Sequence, residues 1–414
     1  LKERINEKAS FTMEKKFNPK GFGSAAVHAG HKQDPNYAHQ TPIYASSTYV
    51  FDTAEQGMRR FSGEEEGYIY SRYGNPSITE AEEKITALET FGLNMEAKGI
   101  LHASGMAAIS TLLLSTLRAG DKILTHYSLY GGTETLIQTI LPHFGIEAIT
   151  VDLRNLDNVE SMIQHDRHIK LMYLETPANP TIQIVDIEEL TGIAKRYNLK
   201  VACDNTFATP YLQQPFRYGV DYIVHSTTKF LNGHGTAIGG ILIGRDVETM
   251  KSGITKAHRI FGGNGNPFDA FLLTQGIKTL ELRMERHCSN AMAVAQWLQN
   301  HPAVAQVNYE GLTSHPSYSI AQKQMRKPGA MLSFELKNGY DAGVACMNRL
   351  QFCTRAVSLG TVDTLLCHPP SMTHFTVPKD QREQYGITDG LIRMNVGIEN
   401  VEDILADLEQ AMSG

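Results

Sequence analysis

From about residue 98 the chain alternates short apolar runs with longer stretches whose apolar positions recur every three or four residues. The runs at 99–102, 122–125, 147–151, 170–174, 200–203, 222–225 and 240–243 predict seven short strands. Between them, 106–117, 133–141, 156–164 and 187–197 predict amphipathic helices. Strands with little polar alternation, separated by helices, predict a mostly parallel sheet covered on both faces. A long helical region follows, including 280–287 and 292–298. Strands near 304–309, 330–336 and 391–396 then predict a second, smaller α/β unit. The last helix, 401–412, carries apolar Ile404, Leu405, Leu408 and Met412 on one face.

The first part of the chain has a different texture. Residues 13 to about 78 are rich in Gly, Ser, Thr and Tyr and have little helical periodicity, which predicts an arm laid across another body. Thr79 reads as the cap of a helix whose first turn holds Glu80, Glu82 and Glu83. Leu1 to Thr12, polar and preceding Met13, are expected to be an expression remnant and carry no fold argument. The expected division is an arm over 1–78, a cofactor-binding domain over 79–264 and a C-terminal domain over 265–414.

Composition changes this picture only by exclusion. The chain has 414 residues, 42% of them hydrophobic, enough for large cores. Its 38 basic and 44 acidic residues are intermixed, giving a net charge of -6 with no basic block, which argues against nucleic acid or an anionic membrane as partner. The five cysteines are scattered and without a C-x-x-C pair, as expected of reduced thiols in a cytoplasmic protein. Cys353 reads as a buried small hydrophobe. No apolar run is long enough to span a bilayer. The histidines form no H-E-x-x-H pattern, and no metal site is expected.

Candidate chemistry falls at the ends of the expected strands, where ligands of parallel sheets bind. After the run 222–225 come Ser226-Thr227-Thr228-Lys229, then Phe230 and Leu231. Small hydroxyls suit an anionic oxygen, and partial desolvation favours the neutral lysine amine that attacks carbonyls. Alone, a lysine at a strand end is commonly a solvated surface residue. Beside phosphate-sized donors it is the setting a pyridoxal-phosphate Schiff base requires. Asp204 ends an earlier strand 25 residues before Lys229, a spacing that suits neighbouring strands. A carboxylate there can keep a pyridine nitrogen protonated; otherwise it is a turn aspartate. Ser104-Gly105-Met106 opens a helix after a strand, which is an anion site or an ordinary capped core helix. Tyr130, followed by two glycines, could stack on a flat ring and move a proton. Arg72 near Tyr70 could contact phosphate, or lie free on a loop. Gly233-His-Gly-Thr-Ala-Ile-Gly has the wrong spacing for a dinucleotide loop.

These residues occur within a longer series: Tyr70-Ser-Arg-Tyr-Gly-Asn-Pro, Ser104-Gly-Met, Tyr130-Gly-Gly-Thr, Glu175-Thr-Pro-Ala-Asn-Pro, Asp204-Asn-Thr-Phe-Ala-Thr-Pro and His225-Ser-Thr-Thr-Lys. Leu282-Arg-Met-Glu-Arg-His, Val357-Ser-Leu-Gly and Leu391-Ile-Arg-Met-Asn-Val-Gly continue it. From about residue 21 onward the chain resembles the cysteine and methionine metabolism group of pyridoxal-phosphate enzymes. The resemblance implies a fold-type I transferase, α/β, with a mostly parallel seven-stranded sheet and a smaller C-terminal α/β domain. It implies a homotetramer of close dimers with shared active sites. By the same resemblance Lys229 would carry pyridoxal 5'-phosphate, Asp204 would face the pyridine nitrogen and Tyr130 would stack on the ring. Gly105, Met106, Ser226 and Thr228 would hold the phosphate, with Tyr70 and Arg72 arriving from a neighbouring subunit. Arg393, with Ser358 and Asn179, would grip the substrate carboxylate.

Within the family, His368-Pro-Pro-Ser-Met-Thr-His374 resembles methionine γ-lyases, although these usually carry a cysteine where this chain has Gly132, and a Lys-Asp pair where it has Gly262–Gly265. Gly235-Thr-Ala-Ile-Gly-Gly and Asn266-Pro-Phe-Asp-Ala-Phe-Leu-Leu resemble O-acetylhomoserine sulfhydrylases. The expected activity is elimination from methionine-type amino acids. The alternatives are γ-replacement or trans-sulfuration in the manner of the sulfhydrylases and of cystathionine γ-synthase or γ-lyase. A binding protein without turnover is a third reading, opposed by the intact Lys, Asp, Tyr and Arg set.

Overall fold

The computed structural model describes residues 19–413. Seven strands form the larger sheet: β1 Lys98–His102, β2 Lys122–His126, β3 Glu147–Val151, β4 Ile169–Glu175, β5 Lys200–Asp204, β6 Tyr222–Ser226 and β7 Gly240–Gly244. Their spatial order is β1-β7-β6-β5-β4-β2-β3. Only β7 runs antiparallel to its neighbours, so the other strands share a direction and bring their carboxyl ends to one edge.

The apolar runs lack polar alternation because both sheet faces are covered. On one face Ile123, Leu171, Tyr173, Ala202 and Val224 pack with Ala108, Ile109, Leu112 and Leu113 of the helix Gly105–Thr116. On the other, Leu124, Met172, Leu174, Val201 and Ile223 meet Ile85 and Leu88 of the helix Pro76–Glu89 and Leu190 of the helix Ile187–Arg196. Fully buried side chains such as Leu112 and Ile123 each contribute about 1.5–3 kcal/mol by burial.

A second sheet of five strands comprises β8 Val304–Asn308, β9 Met331–Leu336, β10 Thr354–Arg355, β11 Leu365–Cys367 and β12 Leu391–Asn395, in the order β10-β11-β12-β9-β8. The helices Leu280–Gln299 and Val401–Met412 cover it through Val294, Leu298, Ile404 and Leu408.

Several expectations change in detail. The helix after the arm starts at Pro76, not Thr79, and Asn75 caps it by accepting from the Ser77 N–H at 3.0 Å. Proline at the first helical position has no N–H to leave unpaired, which favours this earlier start. The stretch expected as one helix over 133–141 divides into a helical turn Gly131–Thr135, a π turn Leu136–Ile140 and a 3-10 turn Leu141–Phe144. Pro142 cannot donate to the helical ladder there. The arm contains helices Phe22–His28 and Ala54–Ser62, the first buried through Phe22, Ala25 and Ala26. Leu1 to Thr12 lie outside the described residues. The five cysteines are free and buried, Cys353 among them.

Candidate active site

The carboxyl edge of the larger sheet gathers most of the candidate residues. β5 and β6 are parallel neighbours with Asp204 in register with Val224, so the turn Ser226–Lys229 opens beside Asp204. The helix Gly105–Thr116 begins against the same turn: a Cβ on Gly105 would lie 2.9 Å from the Ser226 Cβ. Only glycine permits that approach. Ser104 caps the helix by accepting from the Ala107 N–H at 3.0 Å. The remaining first-turn N–H groups, with the helix dipole, form an anion cradle beside Ser226. Thr228 stands next to it, its hydroxyl tied to the Gly239 backbone at 3.1 and 3.3 Å.

Lys229 is half-buried, and its Nζ lies 3.4 Å from the Ser358 Oγ. Burial, reinforced by the positive charge of Arg393, lowers the amine to about 8 from the ordinary lysine value. A substantial neutral fraction is therefore present near physiological pH, the form needed for attack on an aldehyde. Arg393 projects from β12 and is 4% exposed. One terminal nitrogen donates to the Asn179 Oδ1 at 3.0 Å, and the other to the carbonyls of Val357 and Ser358 at 2.9 and 3.0 Å. Its buried Nε has no hydrogen-bond partner among the described residues.

Asp204 lies on the same sheet face as Tyr173 and Glu175. Its Oδ1 accepts from the Thr206 N–H at 3.0 Å and its Oδ2 from the Tyr173 hydroxyl at 3.5 Å. Thr206 also reaches the turn, its hydroxyl accepting from the Ser226 N–H at 2.9 Å. Burial raises the Asp204 carboxyl, while the Thr206 hydrogen bonds oppose the rise. Glu175, in register with Asp204 on the adjacent strand, is raised by burial and then by the Asp204 charge, while the N–H groups of Tyr130 and Asn179 oppose the rise. The two carboxyls titrate as a pair.

Tyr130 is 51% exposed, and its N–H donates to the Glu175 Oε2 at 2.8 Å. At Gly132 a Cβ would lie 2.6 Å from the Tyr130 Cε1 and 3.1 Å from the Met106 sulfur. Any side chain there would have to displace the tyrosine ring.

Tyr70 and Arg72 are not with this group in the single chain. Arg72 donates to the Arg259 carbonyl at 2.5 Å and lies 5.7 and 5.0 Å from the rings of Tyr70 and Tyr73. It lines a cavity of about 860 Å³ bordered by Arg60, Glu82, Lys98, His258 and Arg259, none of them from the Lys229 edge. Glu175, Tyr173 and Thr206 join the site without a role expected from the sequence. A signal was present for Glu175: like Asp204, it is an acidic residue ending an apolar run.

An anion cradle, a lysine with a lowered pKa, a carboxylate on the neighbouring strand and an exposed aromatic ring fit pyridoxal phosphate. A family model described as Cys/Met metabolism PLP-dependent enzyme matches residues 23–413. The chain is 49% identical over 393 residues to an L-methionine gamma-lyase of Fusobacterium nucleatum, covering 95% of this chain and 98% of that one. It is 45% identical to the L-methionine gamma-lyase of Porphyromonas gingivalis, covering 95% and 97%. Among solved structures, a cystathionine gamma-lyase from Lactobacillus plantarum complexed with L-serine superposes with a TM-score of 0.87 at 38% identity, covering 95% and 98%.

Proposed function

The chain belongs to the Cys/Met metabolism PLP-dependent enzymes, and from that premise we propose that it cleaves L-methionine-type amino acids by α,γ-elimination. The products are 2-oxobutanoate, ammonia and a thiol. The observation that carries this reading is the position of Ser358 between two groups. Its carbonyl accepts from Arg393, and its hydroxyl lies 3.4 Å from the Lys229 amine. A substrate carboxylate held by Arg393 and Asn179 therefore presents its α-carbon towards Lys229.

Bound at this edge, pyridoxal phosphate would supply an electron-withdrawing ring conjugated to the substrate nitrogen. Gly105, Met106, Ser226 and Thr228 would hold its phosphate, and Lys229 would anchor it. Asp204 would keep the ring nitrogen protonated, and Tyr130 would cover the ring. Lys229 Nζ takes the proton from the substrate α-carbon, a role its lowered pKa suits. The Tyr130 phenol gives a proton to the departing sulfur as the electron pair of a lost β-proton closes the β,γ double bond, and water then releases ammonia from the remaining fragment.

The functional unit is a homotetramer, a dimer of dimers, in which Tyr70 and Arg72 complete a neighbour's site. Two observations support this. Both residues sit apart from Lys229 in their own chain, and the arm exposes Val50 at 91% and Phe61 at 66%. Five free buried thiols favour the reducing cytoplasm, and no described helix is long and apolar enough to cross a membrane.

A substrate panel tests the reaction: methionine, homocysteine, cystathionine and O-acetylhomoserine, each with and without sulfide. Methionine is expected to give 2-oxobutanoate and methanethiol without sulfide. If methionine is inert while O-acetylhomoserine plus sulfide yields homocysteine, the chain is a γ-replacement enzyme instead.

A further inference from the structure

Glu175 has no part in the roles assigned above, yet it touches both ends of the site. It closes β4, is 6% exposed, and uses its two oxygens separately. Oε2 accepts the Tyr130 N–H at 2.8 Å, and Oε1 accepts the Asn179 N–H at 3.2 Å. Asn179 in turn accepts from Arg393 at 3.0 Å through its side chain. One carboxyl group thus joins the segment that carries the aromatic ring to the loop that carries the carboxylate anchor.

We propose that Glu175 is a positioning residue that sets the spacing between the Tyr130 ring and the Asn179–Arg393 carboxylate grip. The inference rests on the site reading given above. Neither Tyr130 nor Asn179 belongs to a long regular element that would fix it alone: Tyr130 precedes a five-residue turn, and Asn179 lies in the segment after β4. Glu175 ends a strand paired on both sides, so it is the rigid member of the three. A methionine-sized substrate must meet the anchor at its carboxylate and the tyrosine near its sulfur. The separation between the two contacts therefore decides whether the carbon–sulfur bond lies within reach of the phenol.

Accepting a backbone N–H at each oxygen suits the ionised carboxylate, which is acceptor-only, whereas an amide of the same size offers one acceptor and one donor. Glu175→Gln consequently keeps the volume but sets an NH₂ group against either the Tyr130 or the Asn179 N–H. Glu175→Asp keeps both acceptors but is one methylene shorter.

The test uses the holoenzyme and two readouts that do not require turnover. Circular dichroism in the visible cofactor band reports how the bound ring sits against Tyr130. Titration with L-norleucine, which has a methylene in place of sulfur and no leaving group, reports the carboxylate grip. Glu175→Gln is expected to alter the cofactor dichroism and also to weaken norleucine binding by about tenfold, the loss expected for a misplaced hydrogen bond to a buried group. Its KM should rise and its kcat fall together. Asn179→Ala should weaken norleucine while leaving the dichroism as in the wild type. Glu175→Asp should fall between the wild type and Glu175→Gln in both readouts, and it replaces Glu175→Gln if that variant does not fold. The proposal is overturned if the glutamate variants change thermal stability alone, or move only one of the two readouts. If the wild-type protein itself has no cofactor band, the site reading fails whatever Glu175 does.

Discussion

Lys229→Ala is expected to reduce kcat on methionine by about a thousandfold or more, the scale of losing a positioned general base, and to abolish the covalent attachment of the cofactor. Two functions are lost together, because the same Nζ anchors the cofactor and moves the α-proton. Folding should not suffer. Burial and the Arg393 charge hold the Lys229 amine at about 8. Below that pH, in the protein without cofactor, folding must bury a positive charge or release its proton, whereas the unfolded chain keeps both charge and hydration. That cost is full below about pH 8 and fades as pH rises towards the ordinary value of 10.5. Alanine removes it, so the cofactor-free variant should melt at or above the wild-type temperature at neutral pH. Steady-state kinetics with thermal melts would check both halves. Retained turnover would remove Lys229 from the mechanism, and a collapsed melting temperature would make the loss structural.

Asp204→Asn is expected to lower kcat/KM by about a hundredfold to a thousandfold, the scale of removing one preorganised electrostatic contact, while the cofactor remains attached to Lys229. An amide has nearly the shape of the carboxylate and can still accept from the Thr206 N–H, which the carboxylate does at 3.0 Å. It cannot offset a positive charge on the ring nitrogen, so electrons leaving the substrate α-carbon would enter a neutral ring. Neighbouring Glu175 does not take over. Both of its oxygens are already engaged, by the N–H groups of Tyr130 and Asn179. The check is a kinetic comparison at constant cofactor absorbance. Unaltered kcat/KM would place the ring nitrogen elsewhere.

Much of the fold was legible because both faces of the larger sheet are buried. Runs such as 170–174 and 222–225 have no polar alternation, and the helices between them have wide apolar faces, as a covered parallel sheet requires. The short strands β10 and β11 escaped because two or three residues carry no period. The start of the helix at Pro76 was misplaced because Thr79 with three nearby glutamates imitates a capped first turn, whereas Asn75-Pro76 provides the cap. The helix Phe22–His28 is masked by its glycine and serine, and it is held by contacts of Phe22 with Phe91 and Tyr211. At the site, Lys229, Asp204, Ser226 and the Gly105 turn could be read as strand ends, since position along a parallel strand fixes the edge at which a residue emerges. Register across strands is not written in any one segment. The pairing of Glu175 with Asp204 and its hydrogen bonds to Tyr130 and Asn179 therefore exist only in the folded sheet.

Reduction of the yellow holoenzyme with borohydride, followed by peptide mapping, asks which nitrogen holds the cofactor. A single pyridoxyl group on the peptide containing Lys229 is the expected result. A label on any other lysine, or none at all, would contradict the assignment on which the remaining roles depend.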